Sequence, residues 1–136
     1  MSPETIVAIL GAAVIVLTIA TVVYKKAPRR VKQQSFTRKW RDVQKLCAHQ
    51  ETWPQAVIKA DELVDDVLKR KQKHGKTMGE RMVAAQKLFS NNDMLWHSHK
   101  LASHIRHSAE EVRLKEKDVK EALVGFRQAL RDLGAL

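Results

Sequence analysis

The chain has a single cysteine, Cys47. No intramolecular disulfide can form, which excludes a disulfide scaffold and agrees with a reducing compartment. No segment alternates apolar and polar residues between turn residues, so nothing reads as a β-strand. No serine stands in a glycine-flanked elbow. Gly75-Lys76-Thr77 matches only the end of a phosphate-binding loop: the earlier glycine is missing and no strand precedes it. There is no internal repeat, no low-complexity tract, and no interleaving of aromatics and glycines with the basic residues. Nucleophilic catalysis, phosphate-loop nucleotide binding and aromatic-platform RNA binding are therefore without support.

Charge is also missing where it matters most. Residues 5–24, TIVAILGAAVIVLTIATVVY, carry none, and Lys25-Lys26-Ala27-Pro28-Arg29-Arg30 follows directly. At 1.5 Å rise per residue such a run spans about 30 Å, the thickness of a bilayer's hydrocarbon core. It is expected to be a transmembrane helix. A cleaved signal peptide would begin with a basic region and end on small residues. Here no Lys or Arg precedes the run, and Val22-Val23-Tyr24 ends it, so an uncleaved anchor is expected. Ala8 and Ala12, beside Gly11, form a small-xxx-small pair of the kind that packs helices.

The net charge is +10, and all 25 Lys and Arg residues follow the apolar run. The positive-inside rule then places residues 1–4 outside and residues 25–136 in the cytoplasm, in a single-pass protein of the cell membrane. Residues 25–45 hold nine basic side chains against Asp42 alone, whereas residues 46–136 hold sixteen basic against thirteen acidic. Lys25, Lys26, Arg29, Arg30 and Lys32 are expected to contact anionic headgroups, at about 1 kcal/mol per basic residue near the surface.

Residues 25–34 read as a basic linker, with Pro28 ending the first helix. Residues 35–136 make one domain with a single core. Phe36, Trp40, Val43 and Cys47 form a helical stripe, with Ser35 or Thr37 as its cap. Residues 51–54 break the chain, Thr52 capping the next helix and Pro54 in its first turn. That helix buries Ala56, Val57, Ala60, Leu63, Val64, Val67 and Leu68, and stops at Gly75 in a left-handed cap. Thr77 and Glu80 form a capping box for a helix to about Ser90 that buries Met82, Ala85, Leu88 and Phe89. The next helix, 94–106, turns Met94, Leu101 and Ile105 inward, with Ser98 and Ala102 for close approach. The last, 115–133, buries Val119, Ala122, Leu123, Phe126, Ala129, Leu130 and Leu133, and Gly134 ends it. The expected fold is all-α: one N-terminal transmembrane helix, then an up-and-down bundle of four to five antiparallel helices.

Four of the six histidines, His97, His99, His104 and His107, fall close together. His104 and His107, one turn apart, are candidate zinc ligands, but two ligands on one helix do not make a site. No metal and no cofactor are expected. Asp61 lies near the apolar face and needs a partner if buried, with Arg81 and His99 as candidates. The plainer reading is a rim carboxylate in water. Glu62, Asp65 and Asp66 read as a charged helix face, with Asp65–Lys69 and Asp66–Arg70 as favourable pairs.

Trp53, then residues 56–65 (AVIKADELVD), then Thr77-Met78-Gly79-Glu80-Arg81, then Trp96 with His99-Lys100-Leu101, then Phe126-Arg127-Gln128-Ala129-Leu130 with Leu133-Gly134, follow in a distinctive order. This order resembles a group of bacterial membrane-anchored proteins with one amino-terminal helix and a cytoplasmic domain similar to the HEPN superfamily (higher eukaryotes and prokaryotes nucleotide-binding). The resemblance covers residues 50–134. It implies a helical domain and pairing into a homodimer. Many HEPN domains are metal-independent RNases whose signature leaves four to six residues between an Arg and a following His. His107 would match the His, Ser103 the polar residue and Ala102 the Arg. Lys100 is the nearest cation and His104 the nearest second imidazole. No Arg in this chain meets the spacing, which argues against that chemistry.

The expected function is a membrane-tethered, non-catalytic helical interaction module at the cytoplasmic face. Its partners are anionic lipid headgroups and a protein the sequence does not name. The second reading is a HEPN-like nucleotide- or RNA-binding protein, a degenerate RNase.

Overall fold

The computed structural model describes residues 2–26 and 31–136, residue 26 by its backbone alone. It is all-helical, with no strand among the described residues. The helices are α1 (Pro3–Lys26), α2 (Gln33–Leu46), α3 (Trp53–Arg70), α4 (Met78–Ala84), α5 (Asn92–His107) and α6 (Glu116–Asp132).

α1 is apolar on every side, and each side chain from Ser2 to Lys25 is exposed. By length and composition it can cross a bilayer, two criteria that a signal sequence near the N-terminus also meets.

α2 begins at Gln33, two residues before the expected cap, and neither Ser35 nor Thr37 caps it. The Lys32 carbonyl takes the amides of Ser35 and Phe36 instead (3.1 and 3.3 Å). That closes a turn around Phe36, which is buried with Trp40 and Val43. Thr52 occupies the N-cap of α3 but does not cap it with its side chain. Its hydroxyl donates backward to the carbonyls of Leu46 and His49, and so fixes the α2–α3 connection.

α3 is the central helix and packs against α2, α4, α5 and α6. All seven expected apolar positions are buried, and so is Asp61. The helix ends earlier than expected, and Gly75 is not its cap. Gln72 takes the left-handed conformation (φ 54°). Its amide bonds the Lys69 carbonyl, and the Lys73 amide bonds that of Leu68 (both 3.0 Å). This is a Schellman closure without glycine.

The capping box of Thr77 and Glu80 forms as expected. α4 then stops at Ala84, a 3₁₀ turn follows at Gln86–Leu88, and Leu88 is left 44% exposed. Phe89 reaches the core because the chain turns extended there. On α5 the inward stripe is Leu95, Ser98 and Ala102, one residue round from the expected Met94, Leu101 and Ile105, which are half-buried. Gly125 of α6 explains the rotation. A Cβ there would strike Ser98 Oγ and lie 3.2 Å from the Met94 carbonyl oxygen, so the two backbones approach through small residues. α6 buries its expected stripe except Leu123, which is half-buried, and closes at Gly134 (φ 77°).

Paired residues give the directions. Trp53 Nε1 donates to the Cys47 carbonyl (3.0 Å), while the Arg70 guanidinium sits 5.5 Å from the Phe36 ring, so α2 and α3 are antiparallel. Asp61 meets His99 and Ile58 meets Arg106, so α3 and α5 are antiparallel. Ser98 abuts Gly125 and Ser90 bonds Asp132, so α5 and α6 are antiparallel. The start of α2, the end of α3, the start of α5 and the end of α6 therefore share one end of the bundle.

Candidate functional site

Asp61 is 1% exposed and lies on the apolar side of α3 between Val57 and Val64. A lone buried carboxylate would cost several kcal/mol. α5 supplies two partners. His99 Nδ1 is 2.8 Å from Oδ1, and Arg106 Nη1 donates to Oδ2 at 2.6 Å. Arg106 also donates from Nη2 to the Ile58 carbonyl (3.4 Å) and lies 3.9 Å from Glu62. The Trp96 ring meets His99 edge-on, with centroids 6.1 Å apart. Asp61 thus orients the imidazole through Nδ1, and Nε2 has no polar partner among the described residues. The arrangement ties α5 to α3 and presents an imidazole beside a guanidinium.

The rim-carboxylate reading of Asp61 is thereby overturned, and His99 is one of its partners. Arg81, the other candidate, is not. It sits on Asp65, with Nε to Oδ1 at 2.7 Å and Nη2 to Oδ2 at 2.9 Å, and its Nη1 donates to the Gly75 carbonyl (2.9 Å). The expected cluster of Asp61, Arg81 and His99 divides into two pairs, one turn of α3 apart. Lys69 adds a contact to Asp65 at 3.3 Å, as its spacing predicts. Burial pushes the Asp65 pKa up, but the hydrogen bonds and charge of Arg81, with Lys69, outweigh it and hold the carboxyl below its usual range. Arg81 itself is 8% exposed, and it clamps the α3–α4 turn onto α3.

Arg106 is the member of this cluster that the sequence reading missed. A signal existed: 99 and 106 are seven apart, two turns of one helix, and so share a face.

The remaining site candidates are scattered. His107 is exposed, with Nδ1 2.8 Å from the Ser103 carbonyl oxygen and 3.5 Å from Ser103 Oγ. Lys100 and His104 are exposed. Ala102, the position matching the Arg of the RNase signature, is fully buried, so it and His107 lie on different sides of α5. Among the described residues no three His, Cys, Asp or Glu side chains gather to hold a metal ion. Cys47 is half-buried, its thiol pKa is raised by that burial, and its Sγ lies 3.4 Å from the Val43 carbonyl. Of the expected lipid contacts, Lys25 and Lys32 are exposed. The Lys26 side chain, Arg29 and Arg30 lie outside the described residues.

No family model, no curated protein and no solved structure matches this chain.

Proposed function

We propose that this protein is a membrane-tethered helical interaction module, with α1 in the bilayer and the bundle at the cytoplasmic face, and without catalysis of its own. One observation carries the reading. α1 is a 24-residue helix whose apolar side chains are exposed among the described residues, while α2–α6 close a core without it. A helix that is apolar all round needs an apolar solvent. The uneven charge supports the orientation, since every basic residue follows the apolar run of residues 5–24. The missing Arg of the RNase signature supports a binding role over catalysis, and pairing into a homodimer is compatible with it.

The test is extraction and protease protection of the full chain in intact cells. Expected are resistance to alkaline extraction, full length, and a protected carboxyl-terminal tag. A shorter, freely soluble product would identify α1 as a cleaved signal sequence and overturn the reading.

A second reading has one observation on its side. His99 and Arg106 come together on Asp61, giving a HEPN-like nucleotide- or RNA-binding surface an imidazole and a guanidinium. Retardation of labelled RNA by the full chain in detergent, lost in Arg106→Ala but kept in Lys100→Ala, would favour it. Absence of retardation leaves the interaction module.

A further inference from the structure

We propose that the basic run that ends α3 and forms the turn after it, residues 69–76, is a second contact for the phosphate headgroups of anionic lipids, folded onto the membrane end of the bundle. The inference rests on α1 being embedded in a bilayer.

Placement comes first. Only residues 27–32 separate α1 from α2, and six residues reach at most about 20 Å. The start of α2 is therefore held near the headgroups. The end of α3 lies beside it, because α3 runs back along α2. Gln72 Nε2 donates to the carbonyl of Lys25, the end of α1, at 3.4 Å.

Charge comes second. Lys69, Arg70, Lys71, Lys73 and Lys76 are five basic residues in a run without an acid, and His74 stands among them. Outside that run, residues 46–136 hold eleven basic against thirteen acidic side chains, so the cationic excess of residues 46–136 sits in this run. Of the neighbouring carboxylates, Asp65 and Glu80 are engaged, Asp65 in part by Lys69 of this run. Asp65 is held by Arg81 and Lys69, and Glu80 accepts the amides of Lys76 and Thr77. Lys71, Lys73 and Lys76 make no ion pair among the described residues.

Shape comes third. Lys69, Arg70, Gln72, Lys73, His74 and Gly75 line a hollow of ≈ 500 Å³, room for a phosphodiester headgroup. The Schellman closure at Gln72 and the grip of Arg81 on Gly75 fix the turn, so little ordering is needed on contact. The run has no large apolar side chain. It therefore rests on the headgroups by charge and does not insert, which makes the contact salt-sensitive.

The test uses the full chain reconstituted through α1 into phosphatidylcholine vesicles, with or without phosphatidylglycerol. A fluorophore is placed at His74→Cys in a Cys47→Ser background, with Glu110→Cys at the opposite end of the bundle as the reference. A quencher is carried on the lipid headgroups. Expected is quenching at position 74 several-fold above that at 110, increased by phosphatidylglycerol. It should be lost at high salt and in Lys71→Glu/Lys73→Glu/Lys76→Glu, checked for folding by circular dichroism. Equal quenching at the two positions, or indifference to phosphatidylglycerol, overturns the inference while the protein still floats with the vesicles. Relief by inorganic phosphate, but not by chloride of equal ionic strength, overturns it in favour of a soluble phosphate ligand. Failure to float with the vesicles brings down the tether itself and this contact with it.

Discussion

α1 carries apolar side chains around its whole circumference and leaves all of them exposed; α6 gathers its apolar side chains, the exposed Val124 apart, into one stripe and buries nearly all of it. The two helices are both long and lie near opposite ends of the chain. A stripe is the mark of a helix with a protein neighbour, because the opposite face must meet water. An unbroken apolar surface has no such face and suits lipid. Apolar content alone would rank α1 as the best core helix, and periodicity reverses the ranking.

The sharpest way to break this comparison is to truncate one side chain on each helix. Phe126→Ala should lower the bundle's unfolding free energy by about 3–5 kcal/mol, measured by chemical denaturation. Leu10→Ala on α1 should leave that value unchanged. An equal loss from both would mean that α1 belongs to the bundle's core after all.

A smaller effect tests why the α6 stripe can seat α5. Gly125→Ala should cost about 1–3 kcal/mol, because the added methyl meets Ser98 Oγ. Ser98→Gly in the same chain should recover part of the loss. Full stability of Gly125→Ala would show that the α5–α6 approach has slack.

The smallest effect concerns the polar fastening within the bundle. The folded pKa of Asp65 is lowered, so its pair with Arg81 contributes fully above the unfolded aspartate value of about 3.9 and is lost as pH falls through the lower folded value. The stability gap between the wild type and Asp65→Asn should be constant above about pH 5 and close below about pH 4. A gap that widens on acidification would contradict the assigned direction.

Local rules carried far. The Thr77–Glu80 capping box and the Gly134 closure involve neighbours in sequence and could be seen there. The α3 stripe was legible for the same reason, since helical spacing alone defines it. The errors arose where the local preference lost. Gly75 looked like the cap of α3, but Gln72 takes the left-handed position because the closing bonds to Leu68 and Lys69 already form there. Met94 looked like core, but the approach at Gly125 turns Leu95 inward. Leu88 looked buried on a continuous helix, but a 3₁₀ turn carries it to the surface. At the site, the burial of Asp61 was suspected from its position on the wheel. Its pairing with Arg106 depends on the antiparallel crossing of α3 and α5, which no local pattern specifies.

The antiparallel course of α3 also sets a height. Its 18 residues rise about 27 Å from the Trp53 end to the Arg70 end. In the proposed membrane arrangement, with the Arg70 end against the headgroups and α3 upright, the opposite end, carrying Cys47 and the 108–114 connection, would stand about that far from the bilayer. The distance is more than three Debye lengths at physiological salt, each about 8 Å. In that arrangement the far end of the bundle would be out of range of the lipid's surface charge. A soluble partner arriving there would meet only the protein's own field, whatever the composition of the membrane below.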